Sequence, residues 1–165
     1  MNPVQERFIE LRSRSSTKPV IYLEGRSSSN PLYSRSYSDC NGVALLSDRF
    51  AGLTHYDLSS SQPENYLNEL INLMKMRGYH PTRAIVIGGD TQHLRRNLSV
   101  LEKRGIPLAR IHADGWETVG RFTTETFKQL NQKRLKIGVK DLIVVPETGE
   151  VLLNILNTGE FKRLH

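Results

Sequence analysis

Hydrophobic residues recur along this chain in two rhythms, and their order predicts a mixed fold. From Pro3 to Arg14 the apolar positions Val4, Phe8 and Leu11 lie three and four apart, which predicts an N-terminal helix. Pro19 to Glu24 reads as a strand, and the Ser-rich stretch from Gly25 to Pro31 as a loop. Tyr33 to Asp39 and Asn41 to Leu46 have extended character, and Ser47-Asp48-Arg49 supplies a turn before a strand through Leu53, His55 and Asp57. The clearest helix follows. Ser61 and Glu64 form a capping-box pair, Leu67, Leu70, Ile71 and Met74 fall on one face, and Gly78 ends the run. Ala84 to Ile87 is a continuous apolar run of strand length; Gly88-Gly89 breaks it, and Asp90 can cap a helix carrying Leu94, Leu98 and Leu101 up to Gly105. A strand from Pro107 to His112 and a polar helix from Thr123 to Arg134 come next. A hairpin then pairs Asp141 to Val145 with Val151 to Leu156 around Pro146-Glu147-Thr148-Gly149. No repeat or linker interrupts the pattern. The expected fold is α+β: one domain over residues 1–165, with a mixed β-sheet core flanked by amphipathic helices.

Composition narrows the class. A chain of 165 residues can bury a core without disulfides or a structural metal. No apolar run approaches the roughly 20 residues that cross a bilayer, so membrane insertion is not expected. Residues 1–16 carry charge throughout and no apolar signal core. With a single cysteine the expected location is the cytoplasm, export as an effector being left open. The net charge of +6 favours acidic partners. Yet Arg12, Arg14, Arg95, Arg96, Arg134 and Lys136 are scattered and no nucleic-acid module is readable, so nucleic acid is not an expected partner.

The candidate chemistry centres on Cys40. A lone thiol forms no internal disulfide, and this one ends a polar stretch from Tyr33 to Asp39 where a structural cysteine would sit in an apolar run. A thiol attacks a carboxamide only as its thiolate, and the unperturbed pKa is about 8.5, so a base is needed. His55, in Gly52-Leu53-Thr54-His55, is the expected base and His112 its rival. His80, His93, His112 and His165 show no ligand spacing with Cys40 and read as surface residues, so neither metal nor cofactor is expected. Gly88-Gly89-Asp90 lacks a Walker lysine and the full dinucleotide pattern, and reads as a tight turn. Trp116 reads as packing, and Ser27 to Ser29 as a surface segment that could fold back over Cys40 as a lid.

Cys40, the turn at Ser47-Asp48, Gly52-Leu53-Thr54-His55, Ile87-Gly88-Gly89, Arg96-Asn97 and Gly105-Ile106-Pro107 occur in an order that resembles the chemoreceptor glutamine deamidases, the CheD family, within the wider group of Cys-His protein deamidases. The resemblance spans residues 18–155, leaving 1–16 as a helical extension and 122–140 as an insertion. It implies a CheD-like fold, Cys40 as nucleophile and His55 as base. A family threonine six residues before the cysteine matches Ser34, which would orient the base. Asp57 is an alternative orienting group. Asn41, Asp39 and Thr54 are the candidate oxyanion or substrate-binding residues. The implied activity is conversion of an exposed protein glutamine to glutamate through a thioester; transglutamination or cleavage would share that intermediate. The implied partners are that substrate protein and a regulatory protein. Where the family has Gly-Ser before the cysteine this chain has Ser38-Asp39, which motivates the alternative of an inactive, protein-binding module.

Overall fold

A computed structural model describes residues 1–165 except 16–17, 22, 38–39, 57–61, 89–90, 114–115, 120–124, 126–127 and 130–138. Two sheets share one apolar layer. The first is built, in sequence order, from β1 (Glu24–Ser28), β3 (Gly42–Ser47), β4 (Phe50–His55), β5 (Arg83–Gly88), β6 (Leu108–Ala113) and β7 (Trp116–Val119), arranged β1-β4-β3-β5-β6-β7. Only β5 and β6 run parallel, because α3 (Thr91–Lys103) makes the crossover that a parallel pair requires. The second sheet, β10-β9-β8-β2, is antiparallel, from β2 (Leu32–Tyr37), β8 (Lys140–Val145), β9 (Glu150–Ile155) and β10 (Glu160–Arg163).

Strand alternation sorts the side chains into three layers of core. Ala44, Leu46, Ala51, Leu53, Ile85 and Ile87 of the first sheet meet Leu32, Leu142, Val144, Val151, Leu153 and Ile155 of the second. The alternate residues Val43, Leu45, Val86 and Ile111 face α2 (Pro63–Met76) and α3. On the far side α1 (Pro3–Arg14) lays Phe8 and Leu11 against Tyr33, Ile143, Val145 and Leu152. The order of layers is helices, sheet, sheet, helix, and the α+β class expected from the sequence is the one observed.

The N-terminal helix, the Ala84–Ile87 run and the closing hairpin stand where hydrophobic spacing put them. Gly78 and Gly105 follow α2 and α3 with φ of +84° and +66°, the left-handed geometry that glycine supplies after a helix. Three expectations are corrected. Gly25–Ser28 of the expected Ser-rich loop lie in strand β1 with Glu24, and the described residues from Pro19 to Leu23 make only an isolated bridge, at Val20. The N-cap of α2 is Gln62, with no side-chain capping bond, in place of the expected pair led by Ser61. His93 and His112 are buried and not on the surface. The polar helix expected over 123–134 and the insertion expected over 122–140 fall largely outside the described residues.

Candidate active site

The inner face of the first sheet carries the candidate residues. In the β3–β4 ladder Ala44 lies opposite Leu53, and the pairing continues to Asn41, whose backbone exchanges bonds of 2.9 and 2.8 Å with Tyr56. Gly42 is therefore opposite His55, and Cys40 is the next residue of the same parity. Cys40 belongs with Ala44, Leu46 and Leu53 in the layer between the sheets. Cys40 and His55 are thus diagonal neighbours on one face, an arrangement with Cα atoms about 7–8 Å apart and Cβ atoms closer. His112 lies opposite Ile87 on that face too, but β5 separates its strand from β3. Two strand spacings, about 10 Å, stand between His112 and the thiol's strand, which favours His55 as its base.

The second sheet supplies what fixes His55. Ser34 Oγ lies 2.9 Å from His55 Nδ1, and the same hydroxyl donates its single proton to the Val20 carbonyl. A hydroxyl that has spent its proton can only accept at Nδ1, so Nδ1 carries the hydrogen and Nε2 presents a lone pair. Tyr37 stacks on the imidazole, with centroids 3.8 Å apart and planes 14° from parallel, and donates its hydroxyl to the Thr54 carbonyl at 2.9 Å. Burial pushes the Tyr37 phenol far above its ordinary range; the Ser34 hydroxyl opposes this, and Cys40 adds to it. That phenol stays neutral.

A bulge makes both contacts possible. Ser34 is opposite Leu142 and Tyr37 opposite Lys140, so three steps on β2 span two on β8. The extra residue inverts the alternation, and Ser34 and Tyr37 both face inward. Gly42 completes the fit: a Cβ there would lie 2.6 Å from the Tyr37 ring and 2.9 Å from the Thr54 carbonyl oxygen.

The other expected residues are placed differently. Thr54 Oγ1 accepts from the Val43 N–H at 2.9 Å, and its methyl approaches the Gly25 site beside Leu70 of α2, on the face opposite Cys40. Asn41, one residue from Cys40, is wholly buried and by alternation belongs to that same helix-facing set. The structure does not bring either side chain together with the thiol's face. Asp39 and the alternative orienting group Asp57 lie outside the described residues. No group of three metal-ligating side chains occurs among the described residues.

Two residues at the site were missed from sequence. Tyr37 stood in the polar stretch, but only the bulge turns it inward. Lys140, wholly buried, lies opposite Tyr37 on the inner face; its alternation with Leu142 and Val144 was a readable signal. Cys40 and His55 are 6% and 2% exposed, so the pair lies beneath the surface. No protein-family model matches the chain, and no curated protein is significantly similar to it. No helix among the described residues is long and apolar enough to cross a membrane.

Proposed function

We propose that this protein is a cytoplasmic, cofactor-free thiol hydrolase resembling the protein-glutamine deamidases. His55 Nε2 takes the proton of Cys40, and the thiolate attacks the side-chain carbonyl carbon of a glutamine. The imidazolium returns the proton to the departing nitrogen, which leaves as ammonia. Water, deprotonated by the same imidazole, then hydrolyses the thioester to glutamate and frees the thiol. The backbone N–H of Cys40 is a candidate donor to the oxyanion. The observation that carries the reading is the Ser34–His55 bond, since it sets the tautomer that directs the basic nitrogen away from Ser34.

The test pairs two measurements. Alkylation of Cys40 followed against pH needs no substrate: a midpoint below the free-thiol value that rises in His55→Ala is the expected result. Incubation with candidate proteins should then release ammonia and convert glutamine to glutamate in wild type but not in Cys40→Ala. An ordinary thiol in both wild type and His55→Ala would overturn the reading.

The burial of Cys40 and His55 favours one second reading, a regulatory protein-binding module that keeps the fold without turnover. Such a module would retain its partner's affinity in Cys40→Ala and show no ammonia release.

A further inference from the structure

A second feature lies at the open edge of the two sheets. β1 and β2 are the terminal strands of their sheets on this side. A cavity of about 770 Å³ runs past them, reaching Arg14 at the end of α1 and Arg77 at the end of α2. Lys18 and Arg26 of β1 complete a set of four cations, and no carboxylate lines the cavity among the described residues. Two helix C-termini contribute about half a negative charge each. Glu10, which also holds Arg7, and Glu24 each pair with one of these guanidiniums, and the four cations outnumber the two carboxylates.

The donors are only partly used. Arg14 gives Nη1 to Glu10 at 3.1 Å, Arg26 gives Nε to Glu24 and Nη1 to the Lys18 carbonyl at 2.7 Å, and Arg77 reaches Ser27 Oγ over 3.4 Å. A guanidinium carries five N–H donors in a planar fork, so each retains hydrogens for a ligand. The floor beneath is apolar, from Val20, Leu32 and Leu73. The volume falls within the range of small-molecule sites, about 300–1,000 Å³.

We propose that this cavity binds a phosphate-bearing small molecule. The forks of Arg14, Arg26 and Arg77 match phosphate oxygens two at a time, and Lys18 adds a point charge. The apolar floor receives whatever the phosphate is attached to. Val20 of its floor also accepts the Ser34 proton, and the variants of the test leave Val20, Cys40 and His55 unchanged.

Calorimetry and melting curves of the full chain with sodium pyrophosphate, ATP and citrate, each at ionic strength matched by sodium chloride, decide it. Saturable binding and stabilisation by pyrophosphate or ATP, but not by citrate, is expected. Tighter binding of ATP than of pyrophosphate assigns a nucleotide-like ligand, and equal binding assigns the inorganic phosphate chain. Arg77→Ala and Lys18→Ala, both exposed positions, should each weaken binding about tenfold, the scale of one lost charge-assisted bond. Responses no larger than that to chloride, an equal response to citrate, or affinity unchanged in the Arg77→Ala and Lys18→Ala double variant would overturn the proposal.

Discussion

In the proposed chemistry Ser34 acts through His55, so its removal separates positioning from packing. Ser34→Ala leaves the Val20 carbonyl and His55 Nδ1 without their shared partner, at about 1–3 kcal/mol for each stranded group. It also frees the imidazole to adopt either tautomer. The expected outcome is a lower melting temperature together with an alkylation midpoint for Cys40 displaced by about one pH unit, equivalent to 1.36 kcal/mol. Ser34→Thr restores the hydroxyl and should restore the midpoint, which a merely structural loss would not do. Gly42→Ala is the sharper steric test. Its Cβ meets an aromatic ring and a backbone oxygen, neither of which yields cheaply, and a cost of at least about 1–3 kcal/mol is expected from denaturant curves. Gly52→Ala, whose Cβ meets the flexible ends of Leu70 and Met74, should cost less. Cys40 and His55 were singled out from sequence as a lone thiol and a nearby imidazole and Ser34 through the family resemblance, and the structure brings Ser34 to His55. Tyr37 was not legible, because the β2 bulge that turns it inward has no composition of its own.

Among the elements, α1 packs on the outer face of the second sheet. It is fastened to the second sheet by Phe8 and Leu11 and by Arg7, which reaches Glu150 of β9 at 2.9 Å. Phe8→Ala should cost about 3–5 kcal/mol, as large-to-small core changes do, measured as a shift in the urea midpoint. Burial works to raise the Glu150 pKa, but hydrogen bonds from Arg7 and Thr148 leave it below the ordinary carboxylate value. A depressed folded pKa means that the stabilisation is present above the unfolded pKa and is lost as pH falls through the folded one. Denaturant midpoints in wild type and Arg7→Ala should therefore differ by about 1 kcal/mol near neutrality and converge below pH about 4. Element by element, the amphipathic helices and apolar strands were readable because their burial demands a period. β1 was not readable: Glu-Gly-Arg-Ser-Ser is poor strand sequence, and the segment is held by backbone pairing to β4 from Glu24–His55 to Ser28–Ala51.

At the scale of the whole molecule, one candidate site draws on both sheets. Tyr37 and Tyr56 lie on opposite faces of the first sheet, and burial raises both phenols well above the ordinary range. In the unfolded chain they ionise near pH 10. Because the folded state holds those protons longer, stability is fully present below about pH 10 and declines above it, by up to about 1.4 kcal/mol per unit for each tyrosine. Denaturant midpoints between neutral and alkaline pH should trace that decline, and Tyr37→Phe should flatten it. Ser34 holds His55 across the gap between the sheets, and among the described strands β2 pairs with β8, more than a hundred residues further along, beyond its single bridge to Val20. During synthesis, the thiol and its imidazole emerge long before Lys140–Val145 exists to seat β2. Until that segment arrives, β2 lacks the ladder that seats Ser34 against His55. On the proposed function, a ribosome-bound fragment would carry an ordinary cysteine, and the reactivity expected of Cys40 would appear only at the last stage of folding.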